Sequence, residues 1–66
     1  MQAIFICWAG REVVRVDVMH TIEGHEKDVA RVILKRLFDS GGRRADVCRI
    51  YYIKDTQIIL GGDVEA

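Results

Sequence analysis

The sequence predicts an α+β domain: a ββαββ chain whose four strands form one antiparallel sheet of order 2-1-3-4, with one helix packed on one face. Three observations predict it. Two strand-like stretches precede a helical one and two follow it, glycines punctuate the boundaries, and the first strand is apolar on both sides, as a central strand is. A helix joining strand two to strand three makes a crossover between parallel strands. Right-handedness of such crossovers then leaves strand one between them, antiparallel to both.

Gln2 to Trp8 is rich in β-branched and aromatic residues, the signature of a strand. Ala3, Phe5 and Cys7 stand on one side of it and Ile4, Ile6 and Trp8 on the other. Glu12 to Met19 alternates Val14, Val16 and Val18 against Arg15 and Asp17, which predicts a half-buried strand closing a hairpin around Gly10. From His25 to Ser40 the rows Val29, Ile33, Leu37 and Ala30, Leu34, Phe38 form a broad apolar helix face. Glu26 and Asp28 near its start and Lys35 and Arg36 near its end complement the helix dipole, and Gly41 suits the left-handed residue after it. Asp46 to Lys54 and Thr56 to Leu60 read as a second hairpin.

The chain has 66 residues and 7.5 kDa, which suits a single domain over residues 1–66. Half the residues are hydrophobic and ten Lys+Arg balance ten Asp+Glu, which excludes a disordered chain and any global electrostatic pull toward nucleic acid or membrane. The longest uncharged apolar run, Ala3 to Gly10, falls far short of a membrane span. Met1-Gln2-Ala3 lacks a basic leader segment, so no signal peptide is expected. Two cysteines, Cys7 and Cys48, sit in apolar strands, where a reduced buried thiol is the commoner state; this reading places the protein in the reducing cytoplasm. So short a chain buries little surface, and a second subunit is the expected source of more.

The candidate partner-binding surface is a sheet face carrying Ile4, Ile6, Trp8, Tyr51 and Tyr52, because one helix covers only one side. The competing reading is a monomer in which long side chains such as Arg15 and Arg49 stack over that face. Arg31, Lys35, Arg36, Arg43 and Arg44 form a candidate basic patch at one end of the helix. His20, Glu23 and His25 are weak metal candidates, since their spacing fits no standard motif and reads more simply as a loop entering a helix. No cofactor motif is present, Ser40 is the only serine, and neither Gly-Gly pair sits in a phosphate-binding context, so an enzyme is not favoured.

Arg49-Ile50-Tyr51-Tyr52, followed by Ile58-Ile59-Leu60-Gly61-Gly62-Asp63, resembles the C-terminal hairpin of addiction-module killer proteins of the RelE/HigB type, small ribonucleases with a sheet packed on helices. The resemblance covers about a fifth of the chain, Val64 stands where a Lys often follows, and no catalytic residue carries over. Function is therefore expected to be non-enzymatic: a homodimeric protein-interaction module, an accessory or inhibitor protein of a phage or mobile element. The alternative is an RNA-binding protein or a toxin-type ribonuclease.

Overall fold

Hairpin, helix, hairpin is the order the chain adopts: β1 (Gln2–Ala9), β2 (Glu12–His20), α1 (Glu26–Asp39), β3 (Val47–Lys54) and β4 (Gln57–Glu65). The computed structural model describes residues 1–41 and 44–66. The strands form one antiparallel sheet in the order β2-β1-β3-β4. The predicted α+β architecture and strand order are those of the protein.

Alternation decides what each face of β1 meets. Ala3, Phe5 and Cys7 are fully buried under α1, where they join Ala30, Ile33 and Leu34 of the helix, Cys48 and Ile50 of β3, and Val64 of β4. The helix begins without a side-chain cap; the buried Glu26 carboxylate instead accepts the Gly24 N–H, at 3.1 Å to either oxygen. At its other end Ser40 donates its N–H to the Arg36 carbonyl and Gly41 follows with φ of 70°. Asp46 ties three segments together. Its carboxylate accepts the Gly10 N–H at 2.8 Å, its N–H donates to the Trp8 carbonyl at 2.7 Å, and its carbonyl accepts the Ala66 N–H at 2.8 Å.

Both edge strands depart from simple alternation. Cys7 pairs with Arg15 but Trp8 pairs with Val13, which makes Val14 the extra residue of a bulge in β2. Likewise Ile50 pairs with Gly62 and Tyr51 with Leu60, so Gly61 is the extra residue in β4. The last strand therefore runs through the glycine pair to Glu65, past the expected end at Leu60. Gly62 sits at φ of 110°, a conformation open to glycine and strained for other residues.

The expected free thiols are replaced by a disulfide between Cys7 and Cys48. The physical reason is register. With β1 beside β3, the two residues are directly opposite, their Cα atoms 4.0 Å apart and both side chains fully buried. Burial was legible in the apolar context; the pairing depends on a register across 41 residues of intervening chain. Disulfides persist in oxidising surroundings, so the cysteine argument for a reducing cytoplasm falls with the thiols. Among the described residues no helix is long and apolar enough to cross a membrane.

Alkylation followed by mass spectrometry is expected to modify neither cysteine until a reductant is added, and both afterwards. Replacing both with alanine releases the cross-link on the unfolded chain, a loss of about 4 kcal/mol from loop closure, read as a lower urea midpoint. Alkylation of the native protein without reductant would refute the bond.

Candidate functional site: the open face of the sheet

α1 rests on β1, β3 and β4, and its backbone stands clear of β2 among the described residues. It covers one side of the sheet, and the pairing registers fix what stands on the other. Ile4 lies opposite Val18 and Tyr51, Ile6 opposite Val16 and Arg49, and Trp8 opposite Val13 and Val47. Further along, Tyr51 lies opposite Leu60 and Ile53 opposite Ile58. These positions make one contiguous apolar face across all four strands. Its edges are open: Val16 and Val18 are 56% and 55% exposed, and Ile58 and Leu60 are 66% and 60% exposed. Ile4, Ile6, Trp8 and Tyr51 at its centre are half-buried.

The alternation of β2 thus has the sense opposite to a half-buried strand packed under the helix. Val16 and Val18 face the open side, while Arg15 and Asp17 pair with each other on the helix side, where no helix reaches. Val14, as the bulged residue, packs against the core. Arg15 therefore covers none of the open face.

Arg49 does cover part of it. Its guanidinium carbon lies 4.9 Å from the centroid of the Trp8 ring. The Arg49 Nε donates to Asp63 Oδ1 at 2.8 Å and a second guanidinium nitrogen to Oδ2 at 3.3 Å, a two-pronged bond between neighbouring strands. These hydrogen bonds hold the Asp63 carboxyl below its ordinary range, while Asp63 and then Tyr51 push the guanidinium further up. The stack shields Trp8 and leaves the valine, isoleucine and leucine rows exposed.

Tyr52 does not belong to this surface. Adjacent residues on a strand point to opposite faces, and Tyr52 packs on the helix side against the core. Its ring lies across Gly61, where an added Cβ would meet ring carbons at 2.6 Å and the hydroxyl oxygen at 2.9 Å. Burial, then the neighbouring Glu26 carboxylate, pushes its hydroxyl pKa up.

The other sequence candidates lie elsewhere. Arg31, Lys35 and Arg44 gather around a depression of about 470 Å³ floored by Leu34 and Phe38, with Arg44 stacked 4.7 Å from the Phe38 ring centroid. Asp39 and Glu65 share that rim, and Arg31 is bonded to Asp28 at 2.8 Å, so the patch is largely self-neutralised. Arg36 is exposed in the last helical turn, and Arg43 lies outside the described residues. His20 and His25 line one shallow groove with Asp28, whose carboxylate stands 3.7 Å from the His25 ring. Among the described residues no three His, Cys, Asp or Glu side chains converge where a metal ion could be held, and Glu23 does not join the histidines there.

Comparison with known protein families, curated proteins and solved structures finds no match.

Two outcomes follow for this region. Gly61→Ala forces the Tyr52 ring aside and is expected to cost about 1–3 kcal/mol in denaturant unfolding, with a rise in Tyr52 accessibility. An unchanged midpoint would show that the ring moves freely. For Asp63, a folded-state pKa below the unfolded value means that its stabilisation is complete above the unfolded pKa. It is lost as pH falls through the folded one. Acid unfolding curves of wild type and Asp63→Asn should therefore differ near neutrality and converge in strong acid. A constant offset at every pH would remove the charge from the account.

Proposed function

We propose that this protein is a non-enzymatic protein-interaction module that acts as a homodimer through the open face of its sheet. The single observation that carries the reading is the contiguous apolar face from Val16 and Val18 across to Ile58 and Leu60. Four strands about 4.8 Å apart and about eight residues long span roughly 500 Å². That is at the upper end of what a monomer leaves exposed as one apolar patch. Two such faces brought together bury about 1,000 Å² or more, the lower bound for a specific interface.

Two further observations favour the face over the edges and a second copy over a charged partner. Each edge strand carries a bulge, a device that interrupts edge-to-edge pairing. A surface meeting its own copy across a two-fold axis repels itself if it carries net charge. Here Arg49 and Asp63 neutralise each other, and Glu65 at the strand end reaches the depression beside the helix. The small size and simple architecture suit an accessory or inhibitor protein of a phage or mobile element, with the helix side left free for a larger partner. RNA binding is the weaker alternative, because Arg49, the cation beside Trp8 and Tyr51 on the open face, is paired with Asp63, while Arg31, Lys35 and Arg44 stand around the depression beside the helix.

Light scattering coupled to size exclusion is expected to give a mass near twice 7.5 kDa at micromolar concentration. Ile6→Glu or Val16→Glu should return it to the monomer mass with the fold retained, since each large side chain withdrawn from water contributes about 1.5–3 kcal/mol. A monomer at every concentration reachable would overturn the homodimer.

A further inference from the structure

Most of the open face is aliphatic, and aliphatic rows slide over one another with little preference for a register. One group on it has direction. Trp8, the only tryptophan in the chain, is held beneath the Arg49 guanidinium. Arg49 is in turn fixed by the two hydrogen bonds it donates to the Asp63 carboxylate on neighbouring β4. The three strands that supply these residues are adjacent in the sheet. Trp, Tyr and Arg are the residue types that dominate binding energy at protein interfaces. A group already locked in one conformation loses little freedom on binding.

We infer that the Trp8–Arg49–Asp63 cluster is the specificity element of the open face: it fixes the register in which a second copy docks, while the valine, isoleucine and leucine rows supply the burial. The inference rests on the homodimer reading and adds to it the residues that decide the arrangement. The closed ion pair prevents the charge of either copy from facing an apolar partner unpaired, a defect that would be costly on desolvation. Arrangements that place aliphatic side chains over the pair are thereby disfavoured, and those that extend the stack from one copy to the other are retained. Arg49 acts here through Trp8, as a positioning residue.

Three proteins test this: wild type, Arg49→Lys, and the double exchange Arg49→Asp with Asp63→Arg. Lysine keeps the charge but loses the planar two-pronged bond and the stack. The exchange keeps an ion pair between the same two strands but removes the guanidinium from its place over Trp8. Circular dichroism and urea unfolding report the fold, sedimentation reports the dissociation constant, and Trp8 fluorescence is followed on dilution through dissociation. The expected result is a red shift of Trp8 emission as the wild-type dimer dissociates. Arg49→Lys should weaken association at least about tenfold, the equivalent of about 1.4 kcal/mol. The exchange should recover the unfolding midpoint without recovering association. Wild-type association with unchanged Trp8 emission would overturn the inference and leave the homodimer standing. So would Arg49→Lys binding as tightly as wild type, or full recovery of association in the exchange. A wild-type protein that stays monomeric would overturn both.

Discussion

One helix covers one face of a four-stranded sheet, and every other feature of this molecule adjusts to that limit. The central strand β1 is apolar on both sides. Its Ala3, Phe5 and Cys7 row is satisfied by α1, and its Ile4, Ile6 and Trp8 row is not. The covered side is small as cores go: on the sheet it is filled by Phe5, Ile50, Val64 and the two cysteines, and on the helix by Ala30, Ile33 and Leu34. Burial on that scale leaves a chain of 66 residues near the margin of stability.

The disulfide supplies what the core lacks, and it does so at the point of greatest effect. It joins β1 to β3, the two central strands, and so links the N-terminal hairpin to the C-terminal one across the helical crossover. This changes the logic of association. A chain of this size without a cross-link would draw more of its stability from a partner subunit, and folding and dimerisation would be more tightly coupled. With the central strands covalently joined, the monomer has its own source of stability, and the open face is free to act as a binding surface rather than as half of a core. In the proposed homodimer, association by this face would then be reversible and sensitive to concentration.

How much of this was legible in the sequence depended on the range of the interaction concerned. The helix could be read from its spacing because Val29, Ala30, Ile33, Leu34 and Leu37 act within one element. Strand order followed from the doubly apolar β1 and the handedness of the crossover, both general constraints. The disulfide was hidden because it depends on the register between strands far apart in sequence. Tyr51 and Tyr52 looked equivalent as neighbouring aromatics, yet strand alternation sends one to each face, and only Tyr51 reaches the open side. Val16 and Val18 looked like core residues because an apolar row on an alternating strand normally faces the core. Here α1 stops short of β2 and the row faces away. Gly61-Gly62 looked like the end of a strand because paired glycines usually mark one.

Those glycines instead set the phase of β4, and this joins sequence to surface most directly. Strand side chains alternate with a period of two, so a slip of one residue exchanges the faces of everything beyond it. Gly61 is such a slip. Before it, Ile58 and Leu60 point to the open face; after it, Asp63 points there and Val64 points into the core. If β4 paired through Gly61 without the bulge, Asp63 would be driven under the helix and Val64 out of it, and Arg49 would stand opposite Gly62. The bulge at Val14 does the same for β2, placing Val13 on the open face together with Val16 and Val18 although Val13 and Val16 are three positions apart, which in a regular strand puts them on opposite faces. Two single-residue bulges, one in each edge strand, therefore perform two tasks. They interrupt the edges along which the sheet would otherwise be extended, and they bring the outer strands into phase with Ile4, Ile6 and Trp8. The apolar face is continuous because its edges are irregular.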